Sequence, residues 1–82
     1  MIAMDWITET TLRLSSAAGL DPATLLVDAT DAEQLLDLAG FAAHESGERT
    51  NAPLLCYVLG RAVAQGAALD DLDRAVRGGE AS

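Results

Sequence analysis

Helix-start and helix-stop signals follow one another along this chain in an order that leaves little room for anything but helices. Asp21 stands directly before Pro22, and Pro53 opens another apolar segment. A capping side chain, or a proline in the first turn, is typical of a helix N-terminus. Glycines suited to end a helix follow three apolar segments, at Gly19, Gly47 and Gly66. No segment shows the alternation of apolar and polar residues expected of a strand, so the chain is predicted to be all-α.

The apolar residues between these signals recur at helical spacing, which gives each helix an approximate length. Thr30 and Glu33 have the spacing of a capping box and are predicted to open the longest helix. The predicted helices cover about 6–18, 22–26, 30–46, 52–65 and 70–76. We expect a small bundle of two long central helices, an N-terminal helix and one or two short helices. We also expect residues 1–82 to form a single helical domain.

The same periodicity predicts which side chains form the core. Ile7 and Leu14 share one face of the first helix, and Leu55 and Leu59 share one face of the second long helix. The predicted core consists of Ile7, Leu14, Leu35, Leu38, Leu55, Val58, Leu59 and Leu72. A chain of 82 residues is close to the smallest size at which one core suffices. Losing one of these side chains should therefore be strongly destabilising.

The segment 52–65 is apolar or small on nearly every side. That composition favours a central helix that its neighbours cover on more than one face. In the alternative, Phe41, His44 and Tyr57 form a surface for a protein partner or a second copy of the chain, together with the mid-helix Gly40 and Gly60. Residue types and spacing leave both interpretations open.

The charge balance excludes two classes of partner. Thirteen acids against five Arg, with no Lys, give a net charge of −8. Such a chain is repelled by the phosphates of nucleic acids and by anionic membranes. The N-terminal stretch has no basic leader, and no apolar run approaches the length that spans a bilayer. We expect a cytoplasmic protein that binds neither nucleic acid nor membrane.

The chain has one Cys, Cys56, and one His, His44. A zinc site made from Cys and His needs more of these ligands than one chain offers, so we expect no metal and no cofactor. Cys56 at the edge of an apolar stripe is typical of a small buried hydrophobe. His44, near a predicted helix C-terminus, is typical of a cation favoured by the helix dipole. A catalytic Cys–His pair needs the two to meet across the interhelical turn, and we predict no catalytic residue.

The turn between the two long helices contains the candidate binding residues. Arg49 is one of only five cations on this acidic chain. Its guanidinium has the fork geometry that suits a carboxylate or phosphate group. Phe41 and Tyr57 are aromatic side chains of the kind that anchor interfaces. We therefore predict partner contacts at Phe41, His44, Arg49 and Tyr57.

One central segment also resembles a known family. Residues 35–63 read LLDLAGFAAHESGERTNAPLLCYVLGRAV, and the pair Asp5–Trp6 precedes them. This pattern resembles a small uncharacterised helical domain family of actinobacteria, found alone or joined to molybdenum-cofactor guanylyltransferases. The matching residues are Trp6, Leu36, Asp37, Leu38, Ala39, Ala43, His44, Arg49, Ala52, Pro53, Leu54, Gly60 and Ala62. Thr50 departs from the family pattern, which has Pro after the Arg.

The resemblance implies an accessory role in molybdopterin-guanine dinucleotide synthesis, or in delivery of that cofactor to a molybdoenzyme. It brings no active site, since the chain has no glycine-rich phosphate loop. We expect a non-catalytic helical interaction domain that binds a protein, such as a molybdenum-cofactor enzyme, or forms a homo-oligomer. The alternative is a small-ligand or nucleotide-binding module that uses His44 and Arg49. An enzyme acting alone ranks third.

Overall fold

A computed structural model gives the structure of the chain and describes residues 4–78. These residues form four α-helices, and no strand occurs among them. The helices are α1 (Asp5–Ala18), α2 (Ala29–Ser46), α3 (Asn51–Ala64) and α4 (Leu69–Val76), with a short 3-10 helix (Pro22–Thr24) before α2. The predicted all-α fold, with two long central helices, is confirmed.

The chain divides into two compact units, Met1–Gln34 and Leu35–Ser82, and the boundary lies inside α2. The first unit holds α1, the 3-10 helix and the start of α2. The second unit holds the rest of α2 together with α3 and α4. The expectation of a single domain over residues 1–82 stays a prediction.

Most helix ends follow the signals read from the sequence. The backbone N–H of Ala23 donates to Oδ1 of Asp21 over 3.0 Å, and Pro22 opens the 3-10 helix, as predicted. Gly19 and Gly47 follow α1 and α2 with φ angles of 70° and 73°. These angles lie in the left-handed region, where a residue without Cβ ends a helix at little cost.

The start of α2 differs from the prediction. The helix begins at Ala29, and the carboxylate of Asp28 accepts the backbone N–H of Asp31 over 2.8 Å. The predicted capping box at Thr30 was therefore wrong. Asp is at least as good a cap as Thr, and its negative charge is favoured at the positive end of the helix dipole.

The buried residues of α1 are polar. Thr11 and Ser15 are buried. The Thr11 hydroxyl donates to the carbonyl oxygen of Ile7 over 2.6 Å, and the Ser15 hydroxyl donates to that of Leu12 over 2.8 Å. Because both hydroxyls are satisfied inside the helix, burying them leaves no orphaned donor. Ile7 and Leu14 are 40% and 59% exposed, so their assignment to the core was wrong.

The second unit buries an apolar pair. Leu38 of α2 and Leu59 of α3 have 0% and 4% of their surface exposed, as predicted. α3 and α4 pack together. Three other predicted core residues are half-buried: Leu35, Leu55 and Leu72. Val58 is 58% exposed, so its assignment to the core was wrong.

Candidate partner-binding groove

An open groove of about 430 Å³ lies within the second unit. Nine of the described residues line it, and six of these are apolar. The groove is lined from α2, α3 and α4 by Phe41, Ala42, Glu45, Ser46, Asn51, Leu54, Leu55, Val58 and Val76. Binding pockets for small molecules typically measure roughly 300–1,000 Å³. The groove is therefore large enough to receive several apolar side chains of a partner.

Leu54 and Val58 form the α3 wall of the groove, one helical turn apart. They are 62% and 58% exposed, whereas Leu59 on a neighbouring face of the same helix is buried. α3 therefore has two apolar faces, of which one meets the core and the other meets the groove. The favoured interpretation of a helix covered on more than one face is wrong at this second face, because Leu54 and Val58 are exposed among the described residues.

Among the described residues that line the groove, Glu45 is the only charged one. It is exposed, and its carboxylate takes part in no hydrogen bond or ion pair within residues 4–78. The described lining includes no cation. The groove therefore combines apolar walls with one carboxylate, on a chain with a net charge of −8.

Arg77, directly after α4, links that helix to α2 and stacks on a groove residue. Its Nη2 donates to Oδ2 of Asp37 over 2.6 Å, and its Nε donates to Oδ1 of Asp73 over 2.5 Å. Its guanidinium carbon lies 5.2 Å from the ring centroid of Phe41, within the range of a cation–π contact. The hydrogen bonds to Asp73 and Asp37 raise the pKa of Arg77. We call this set of contacts the Arg77 clasp, and no local sequence pattern predicts it.

Comparison with known protein families identifies the family of the chain. The profile of the domain of unknown function DUF6457 matches residues 2–81. The chain belongs to the DUF6457 family. No curated protein and no solved structure matched it. The match supports the coarser part of the resemblance, a small domain of unknown function.

The four predicted partner contacts occupy different places in this DUF6457 chain. Phe41 is half-buried and lines the groove. His44 lies in the last turn of α2 and Arg49 in the turn before α3; both are exposed, and neither lines the groove. Tyr57 is 68% exposed on α3, with the guanidinium carbon of Arg61 5.7 Å from its ring centroid. As partner contacts, all four stay predictions.

Sequence reasoning missed several groove residues for two different reasons. Leu54 and Val58, which line the groove, have i, i+4 spacing and form a second apolar stripe on α3. That stripe was a usable signal, but the favoured interpretation was a helix covered on more than one face, and Val58 was assigned to the core. Glu45 and Val76 gave no comparable signal, because they line one groove only through the packing of α2 and α4 in three dimensions.

The groove contains both apolar and polar groups that can contact a bound partner. It offers apolar surface, the Glu45 carboxylate, the Ser46 hydroxyl and the Asn51 amide.

Cys56 is half-buried and unpaired. Among residues 4–78, no group of three or more His, Cys, Asp or Glu side chains is placed to hold a metal ion. Over the same residues, no helix has both the length and the apolar character needed to cross a membrane.

Proposed function

We propose that this DUF6457 protein is a non-catalytic interaction domain that binds a protein partner through the groove. The observation that supports this best is the exposure of Leu54 and Val58 on one wall of an apolar groove. Contiguous exposed apolar surface is typical of interaction sites. Fully burying one such side chain contributes roughly 1.5–3 kcal/mol. A partner that covers both side chains would therefore gain a free energy comparable with that of a binding hot spot.

The resemblance carried by residues 35–63 supports a narrower form of this proposal. The partner would be an enzyme of molybdenum-cofactor metabolism, such as the guanylyltransferase with which related domains are joined. The protein would then act as an accessory in synthesis of molybdopterin-guanine dinucleotide, or in its delivery to a molybdoenzyme. This form depends on the resemblance, whereas the general form depends on the groove.

Site-specific photo-cross-linking in cells of the native organism tests the general form. A photoreactive amino acid replaces Leu54 in one variant and Leu36 in another. Leu36 is the matched control, because it is 58% exposed, belongs to the same unit and does not line the groove. Adducts are identified by mass spectrometry, and binding of the purified partner is then measured by calorimetry.

We expect an adduct with one protein from position 54 and none from position 36. Calorimetry should then show that Leu54→Asp weakens binding while Leu36→Asp leaves it unchanged. The absence of an adduct at position 54, or the same adducts at both positions, would overturn the groove as the binding surface. A groove partner from outside molybdenum-cofactor metabolism would overturn only the narrower form.

A further inference from the structure

We propose that the groove receives an amphipathic helix of the partner, and that a cationic side chain on this helix pairs with Glu45. This inference rests on the proposed function and adds the chemistry of the occupant. It follows from three observations: the geometry of the α3 wall, the unpaired carboxylate at the groove, and the charge of the whole chain.

The geometry of the α3 wall favours a helical occupant. Leu54 and Val58 project from α3 one turn apart, and Val76 of α4 lines the same groove. Walls made of helices present ridges and gaps at the spacing of helical turns. An amphipathic helix fits such a groove by inserting side chains at positions i, i+3, i+4 and i+7.

The Glu45 carboxylate, which has no partner in the described part of the chain, favours a cationic occupant. Glu45 lies among the lining residues and has no hydrogen-bond or ion-pair partner within residues 4–78. A helix seated in the groove would remove part of its water, and desolvating a carboxylate is unfavourable unless a donor replaces that water. An Arg or Lys on the rim of the partner helix supplies such a donor. An acidic or wholly apolar helix leaves the penalty uncompensated.

The charge of the chain supports the same choice. At a net charge of −8, the protein attracts a basic segment and slows the approach of an acidic one. A second copy is a poor occupant for the same reason. In a symmetric pair, the same groove of each copy would bring its own Glu45 and another −8.

The test uses two synthetic peptides and the full chain. Both peptides carry leucines at helical spacing; one has arginines on the remaining face, and the other has glutamates at those positions. Dissociation constants come from fluorescence anisotropy, and NMR chemical-shift mapping locates the bound peptide. We expect the arginine peptide to bind at least about tenfold more tightly than the glutamate peptide.

Two pairs of variants give the test its controls. Glu45→Arg should reverse the preference between the peptides. Glu48→Arg, which makes the same charge change at an exposed residue that does not line the groove, should leave the order unchanged. Leu54→Asp should weaken binding of the arginine peptide about tenfold or more, while Leu36→Asp should not.

The outcomes separate this inference from the proposed function. Equal binding of the two peptides, or a preference reversed equally by Glu48→Arg, overturns the pairing with Glu45 and leaves the groove as a binding surface. Binding that Leu54→Asp does not weaken, or no binding of either peptide, overturns helix binding in the groove. If sedimentation shows a dimer that Leu54→Asp breaks and Leu36→Asp does not, the occupant is a second copy and the inference is wrong.

Discussion

Replacing Leu59 with Ala should destabilise the protein far more than replacing Leu54 with Ala. Both residues lie on α3, so the change in helix propensity is the same, but Leu59 is 4% exposed and Leu54 is 62% exposed. Truncating a buried Leu costs about 2–5 kcal/mol, which includes the cavity left behind. An exposed substitution usually changes stability by less than about 0.5 kcal/mol. Since 1 kcal/mol shifts the Tm of a small domain by roughly 4–8 °C, we expect Leu59→Ala to lower it by at least about 10 °C.

Circular dichroism measures both variants, by thermal and by urea unfolding. If Leu59→Ala does not fold, Leu59→Val provides a milder truncation at the same position. Equal losses from Leu54→Ala and Leu59→Ala would refute the reasoning, because they would mean that both faces of α3 are covered. A larger loss from Leu54→Ala would mean that the groove wall is in fact the core.

Three further predictions follow from single side chains. Gly60→Ala should raise the free energy of unfolding by up to about 1 kcal/mol in urea titrations, because Gly60 lies within α3 and an added Cβ meets no atom within 4 Å. Arg77→Gln should lower the Tm more than Arg77→Lys does. The difference in Tm between Arg77→Gln and wild type should become smaller in high salt, which screens exposed charges. A difference in Tm that does not depend on salt would contradict the clasp. If His44 and Arg49 contact the partner, His44→Ala and Arg49→Ala should each weaken binding in calorimetry with little change in Tm; unaltered affinity in both would remove them from the interface.

The helices and most of their ends could be predicted because the signals act within one turn of chain. Asp21 caps through the backbone N–H two residues later, and Gly47 ends α2 by its own φ angle. The start of α2 was harder to predict. Asp28 and Thr30 are both suitable caps, and only the backbone geometry shows that the aspartate does the capping.

The buried faces were only partly predictable. In α1, polar residues are buried although their polarity predicts exposure. The hydroxyls of Thr11 and Ser15 donate to carbonyl oxygens of their own helix, so burial leaves neither hydroxyl unsatisfied. Periodicity was ambiguous in α3, because a helix with two apolar faces does not reveal which one meets the core. Of the candidate site, Phe41 was identified as a contact, but the groove itself was not. Its walls come from three helices, and no local pattern encodes how those helices meet.

The Arg77 clasp also bears on how quickly the second unit unfolds. Its contact with Asp37 joins positions 40 residues apart, so it requires closure of a long loop. Helical contacts within each segment form sooner. An interaction made after the folding transition state changes the unfolding rate and leaves the folding rate nearly untouched. In stopped-flow experiments, Arg77→Gln should therefore raise the unfolding arm and leave the folding arm nearly unchanged. By slowing unfolding of the second unit, the clasp prolongs the time for which the groove stays formed.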